Sequence, residues 1–214
     1  MPTLIPPPNS REKILEAAET AFATSGYAGT GMRQLASTVG LSKSSLFHHF
    51  PTKLELYVEV LDRVIERLEW GLFGAGGAQS GSPAEQLDHW IASIVGTLAE
   101  SPPSARLLLR ALVDEDPLPP VQFKPDQRAL MPFEVRLARV VDRFRALLEK
   151  GMEQGVFRPV AVGDAIQTTI GAIVLHFASG ELGEALIGEP IFSGSAVDRR
   201  RREVSEFIRR GLLA

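Results

Sequence analysis

From residue 14 onward, apolar residues return every three or four positions rather than in alternation. That period sets them on one face of a helix. Ile14, Leu15, Ala18, Ala21 and Phe22 define a first helix, capped by Asn9 or Ser10 and stopped by Gly26. A short second helix starts near Thr30-Gly31, carries Met32, Leu35, Ala36 and Val39 on its apolar side, and breaks at Gly40. Ser42 caps a short third helix in which Leu46 and Phe50 lie one turn apart, and Pro51 ends it. Thr52 and Glu55 have capping-box spacing for a fourth helix that reaches about Trp70. Beyond the glycine-rich Gly71–Ser82 segment, Ser82-Pro83-Ala84-Glu85 joins a capping box to a proline at the first helical position. The helix it opens runs to about Glu100, where Pro102 and Pro103 separate it from another over about Ser104–Val113. Asp114–Leu130 holds four prolines and reads as a loop. Helices over about Met131–Gln154, Val162–Ser179 and Ala196–Leu213 complete the chain. No alternating β-branched run claims a strand, so the expected class is all-α with about nine helices.

The pattern divides the 214 residues into three parts: a proline-rich tail (1–8), a unit of three short helices (9–56) and a larger helical body (57–214). In the small unit, only Gly40-Leu41 separates the second helix from the third. A helix-turn-helix needs such a tight turn and a small residue where the helices approach, here Ala36. Leu35, Val39, Leu41, Leu46 and Phe50 then share a core with Ile14, Ala18 and Phe22. Lys43, Ser44, Ser45 and His48 are left pointing outward from a helix of the size that enters a DNA major groove.

Charge changes the picture at this point. The chain carries 23 basic and 26 acidic residues, a formal −3 that speaks against a chain basic throughout. Yet residues 20–54 contain no Asp or Glu, while they hold Arg33, Lys43, Lys53, His48 and His49. That segment is +3, and the other residues together are −6. The chain has no cysteine, which removes disulfides, thiolate metal sites and thiol nucleophiles. The opening MPTLIPPPNS has neither a basic start nor a signal-length apolar run, and no stretch approaches eighteen apolar residues. A soluble cytoplasmic protein without a membrane partner is expected.

Arg11-Glu-Lys-Ile-Leu-Glu-Ala-Ala18, Ala21-Phe22, Gly26-Tyr27, Thr30, Leu35-Ala36, Val39-Gly40-Leu41-Ser42-Lys43, Leu46-Phe47, His49-Phe50 and Lys53 are ordered and spaced distinctively. Over residues 9 to 56 the chain resembles the N-terminal domain of TetR (tetracycline-repressor-like) family transcriptional regulators. The resemblance implies that the third helix is the recognition helix, with Lys43, Ser44, Ser45 and His48 near bases or phosphates. It places His49 and Lys53 on backbone phosphates, and Thr30, Arg33 and Gln34 beside the flanking strand. With Ser42 and Phe47, these make up the expected DNA-binding set. Phe47 stands where the family usually has tyrosine and Gly31 where it has a second threonine, so somewhat weaker backbone contacts are expected. Gln34 also has the spacing to cap the second helix, and Phe47 to pack on the core or meet a thymine methyl.

The body holds far more chain than DNA binding needs. The Val162–Ser179 helix is apolar nearly all round, so with the resemblance Ile166, Ile170, Ile173, Val174 and Phe177, together with Val204, Phe207 and Ile208 of the last helix, are the expected homodimer interface; the alternative is a monomer whose central helix is simply its core. An effector pocket is expected among Trp90, Ile94, Leu98, Leu108, Leu112, Phe144, Leu148, Thr169 and His176, taking a small, hydrophobic molecule. His176 equally suits a core or interface position. The Arg199–Arg202 run reads as a solvated or acid-paired face, and Asp114-Glu115-Asp116 as a solvated cluster. Adjacent on one helix, His48 and His49 diverge by about 100° and cannot share a metal. No cofactor, metal site or catalytic motif is expected. The expected function is a repressor on a palindromic duplex operator, relieved by an effector. The alternatives are an activator, or a helical ligand-binding protein whose DNA contacts have weakened.

Overall fold

A computed structural model describes residues 10–74, 81–113, 118 and 129–214. The proline tail, most of the expected 114–130 loop with its acidic triplet, and the centre of the glycine-rich segment lie outside the described residues. Among the described residues ten helices follow in order: α1 (Ser10–Gly29), α2 (Met32–Thr38), α3 (Lys43–His49), α4 (Lys53–Phe73), α5 (Pro83–Glu100), α6 (Pro102–Val113), α7 (Pro132–Glu153), α8 (Val162–Ala178), α9 (Glu181–Ile187) and α10 (Gly194–Leu212). Among the described residues no strand forms beyond one isolated bridge, Phe157 to Leu213. No single described helix is long and apolar enough to cross a membrane.

The helix starts follow their local chemistry. The Ser42 and Thr52 hydroxyls accept from the Ser45 and Glu55 amides at 3.1 Å, opening α3 and α4. At α5 the capping box is complete, because the Glu85 carboxylate also accepts from the Ser82 amide at 2.8 Å. Three boundaries differ from the expected ones. Gly26 does take positive φ (69°), but the chain re-enters helical hydrogen bonding and α1 continues to Gly29. Pro102 and Pro103 fall in the first turn of α6 instead of before it, where proline lacks no needed N–H. The segment after residue 179 holds α9, bounded by Gly180 and Gly188 at positive φ, which makes ten helices where about nine were expected.

Two apolar cores result. One joins Ile14, Ala18, Phe22, Leu35, Leu46 and Phe50 of the N-terminal helices. It extends through Leu56, Val60, Leu61, Val64 and Ile65 of α4 to Leu107 of α6 and Phe133 of α7. The other is centred on α5, α7, α8 and α10, with Leu87, Ile91, Leu98, Phe144, Leu148, Ile173 and Val204. Residue 56 therefore ends the motif in sequence but not in packing: α4 is the fourth wall of the head. Its outer side is tied to α7, where Arg136 pairs with Asp62, Glu66 and Glu69 at 2.9 to 3.0 Å.

Candidate nucleic-acid interface and ligand cavity

The turn between α2 and α3 has Gly40 at φ 71°, which lets the Leu41 amide return to the Ala36 carbonyl at 2.9 Å. Leu35, Ala36, Leu46 and Phe50 are thereby buried, which fixes which side of α3 faces out. Arg33, Gln34, Ser42, Lys43, Ser44 and His48 are exposed, and Ser45, Phe47, His49 and Lys53 are half-buried around them. Among the described residues, neither Arg33 nor Lys43 has a carboxylate within ion-pairing distance. The Lys43 ammonium lies 5.4 Å from the Phe47 ring centre, and Lys53 lies 4.3 Å from that of Tyr27. Phe47 belongs to neither core, so of its two expected positions it takes the outward one. Gly31 caps α2 without any side-chain hydrogen bond, so the capping role open to Gln34 is not taken.

Thr30 corrects one expectation. It is 5% exposed, and its hydroxyl donates to the Gly26 carbonyl at 2.8 Å, closing the turn after the α1 kink. A side chain so placed shapes the start of α2 and is not a surface for phosphate. The triad Ser42, Ser44 and Ser45 is also partly self-satisfied, with hydroxyl separations of 2.8 and 2.9 Å from Ser42.

In the body, α4, α5, α6, α7 and α8 enclose a cavity of about 150 Å³ with an entirely apolar lining. Trp90, Ile94, Leu98, Leu108 and Leu112 of the expected pocket line it, joined by Leu61, Ile65 and Leu68 of α4 and Leu137 and Val140 of α7. The other four expected residues do not. Phe144 stands behind Trp90, ring on ring at 3.9 Å, and Leu148 is buried in the body core. Thr169 faces a separate cleft beside Phe207 and bonds to the Ala165 carbonyl. His176 packs edge-on against Phe177. Helical spacing identified the apolar faces of α5 and α6, but the period does not say how α8 is rotated.

That rotation also corrects the expected dimer face. Ile166, Ile173, Val174, Phe177, Val204 and Ile208 are buried within their own chain, and Ile170 and Val174 line the cavity. Only Phe207 of that set is exposed. On α8, α9 and α10 the outward large apolar side chains are instead Leu175, Leu182, Leu186 and Phe207, each 59 to 77% exposed. Leu182 and Leu186 belong to α9, whose Gly180 and Gly188 brackets were visible in the sequence. The Arg199–Arg202 run is held in the fold, with Arg199 on Glu189, Arg200 on the Ala172 carbonyl and Arg201 on Asp198.

Burial first, then the charges of Arg200 and Arg199, pushes His176 from 6.5 down to about 4. Between those values the unfolded chain takes up a proton that the folded chain refuses, so stability falls as pH drops through this window. His176→Gln is expected to lose less melting temperature between pH 7 and pH 5 than the parent, measured by scanning calorimetry. Equal losses would assign the acid sensitivity to other groups.

Comparison with known proteins bears on the head and the body separately. Residues 14–60 match the family model for bacterial regulatory proteins of the tetR family. A stretch of 68 residues is 40% identical to the HTH-type transcriptional activator FasR of Mycolicibacterium smegmatis, covering 32% of this chain and 31% of that protein. The HTH-type transcriptional regulator YfiR of Bacillus subtilis is 29% identical over 181 residues, 81% of this chain and 78% of the relative. Among solved structures, the TetR family transcriptional regulator PfmR of Thermus thermophilus superposes with a TM-score of 0.70 at 25% identity, covering 95% and 97% of the two chains.

Proposed function

Because the chain belongs to the tetR family of bacterial regulatory proteins, and so is a DNA-binding transcriptional regulator, we propose that it represses its target genes until a small molecule with an apolar part enters the body. Two protomers, joined through the face that carries Leu175, Leu182, Leu186 and Phe207, present two α3 helices to a palindromic operator. Arg33, Gln34, Lys43, Ser44, Ser45, Phe47, His48, His49 and Lys53 form the DNA-facing surface, with Ser42 as the cap that orders α3. Cationic and hydroxyl groups there hold phosphates, and the outward α3 side chains read base edges. The protein works in the cytoplasm, where its operator is.

The observation that carries the reading is the sharing of helices between head and cavity. Leu61 and Ile65 of α4 belong to the head core and also line the cavity. On α6, Leu107 packs in the head core while Leu108 and Leu112 face the cavity. An occupant that presses these helices apart moves the walls against which α1 is packed. Its effect on DNA is the difference in its affinity for the two arrangements, and tenfold release needs about 1.4 kcal/mol.

The test has two stages. Duplexes bound by the protein are selected from a random pool, and compounds are screened for a raised melting temperature, which marks ligands of the folded state. A compound that raises it is expected to weaken the selected complex at least tenfold. A set of stabilising compounds that all leave DNA affinity unchanged would contradict the release mechanism.

A further inference from the structure

A second space adjoins the apolar cavity at Trp90. Leu72 and Phe73 of α4, Gln86 and His89 of α5, and Arg143, Ala146, Leu147 and Lys150 of α7 line an open groove of about 440 Å³. Trp90 lines both spaces. The order of lining residues places the groove further along the same three helices, with Trp90 common to both spaces. On α4 the lining passes from Leu61, Ile65 and Leu68 to Leu72 and Phe73, and on α7 from Leu137 and Val140 to Arg143 and Lys150. On α5, which runs the other way, it passes from Leu98 and Ile94 through Trp90 to His89 and Gln86.

The two spaces differ in chemistry. The cavity presents carbon, and about 150 Å³ is the size at which an apolar cavity takes up a benzene-sized group. The groove presents Arg143, Lys150 and His89 with no carboxylate in its lining. Arg143 lies over the Phe73 ring at 4.1 Å, and among the described residues neither it nor Lys150 has an acidic partner. A larger cleft beside α1 is lined by Glu16, Glu19, Glu66 and Glu100 as well as Arg63 and Arg67, so cations without acids are not the rule on this acidic body. At the junction, the Trp90 indole N–H is buried without an acceptor among the described residues.

We propose that the effector is an amphipathic organic anion, its apolar chain in the cavity and its anionic head in the groove beside His89, Arg143 and Lys150. This rests on the effector reading above and gives it a chemical class. Trp90, which lines both spaces, is one turn from Ile94 on α5, about 6 Å along its axis, and a chain of roughly eight carbons reaches past it.

Octanoate and octan-1-ol test the two halves, with a Trp70→Phe background leaving Trp90 as the only indole to report binding by fluorescence. Octanoate is expected to bind at least tenfold more tightly than octan-1-ol. Arg143→Glu with Lys150→Glu should abolish that preference and leave octan-1-ol binding unchanged, and Ile94→Phe, which fills the cavity without adding an indole, should weaken both probes. Equal binding of the two probes, a preference that survives the double reversal, or no binding of either would overturn the proposal. An uncharged compound that still releases the operator would then leave the effector reading standing. Preferential octanoate binding that leaves the operator complex intact would support this site and count against that reading.

Discussion

Arg33→Glu combined with Lys43→Glu is expected to lower affinity for the selected operator on the order of a hundredfold or more, and to flatten its salt dependence by roughly two contacts. Both side chains are exposed, and neither has an acidic partner among the described residues, so the fold loses no ion pair by their replacement, only the surface contact of Lys43 with the Phe47 ring. Surface changes of this kind usually shift stability by no more than about 0.5 kcal/mol each. Circular dichroism should therefore give a melting curve close to the parent's while fluorescence anisotropy records the loss of DNA. Retained affinity would remove the face formed by α2 and α3 from the DNA interface. Lys53 is the less suitable residue for this test, because its half-buried ammonium sits over Tyr27 and donates to the Ala28 carbonyl.

Glu19→Ala should have the largest effect on the body's grip on the head. Glu19 is a buried carboxylate on α1 whose Oε1 accepts from Arg67 of α4 at 2.6 Å. The same oxygen accepts from Ser104 of α6 at 2.7 Å and from Ser101, just before α6, at 3.1 Å. Truncation leaves two hydroxyls without this acceptor and the part-buried Arg67 guanidinium with the Ser104 hydroxyl at 2.9 Å in its place. Removing one partner of such a pair costs about 3 to 5 kcal/mol, here roughly 10 °C in melting temperature. Glu19→Gln keeps an acceptor and should lose much less. The same truncation frees α1 from the two helices that line the cavity, so ligand-induced release of DNA should shrink as well. A melting temperature within 2 °C of the parent's would show that the α1–α4–α6 contact stands without this carboxylate.

The head was legible in the sequence because its determinants are local. Gly40 for a positive-φ turn, Ala36 for the close approach and Ser42 for the cap lie within seven residues of one another, and each does in the structure what its chemistry suggests. Thr30 departs from its expected place for a related reason. A hydroxyl near a helix start looks like a surface donor until the Gly26 kink carries the chain back over it. The body was less legible because its faces are set by rotation and by distant partners. α8 is apolar on most sides, so its spacing could not say that Ile173 and Val174 turn inward while Leu175 turns out. For the same reason the spacing does not say that Ile170 and Val174 line the cavity. The groove beside Arg143 and Lys150 had no signal in the sequence at all, since its cations and Trp90 come from helices more than fifty residues apart.

Hydroxyl-radical footprinting of the wild-type protein on its selected operator tests the central claim most directly. Two related half-sites, protected on one face of the duplex and centred about 34 Å apart or a multiple of it, are the result the paired α3 helices require. Protection without sequence preference, or of one isolated half-site at saturating protein, would contradict it.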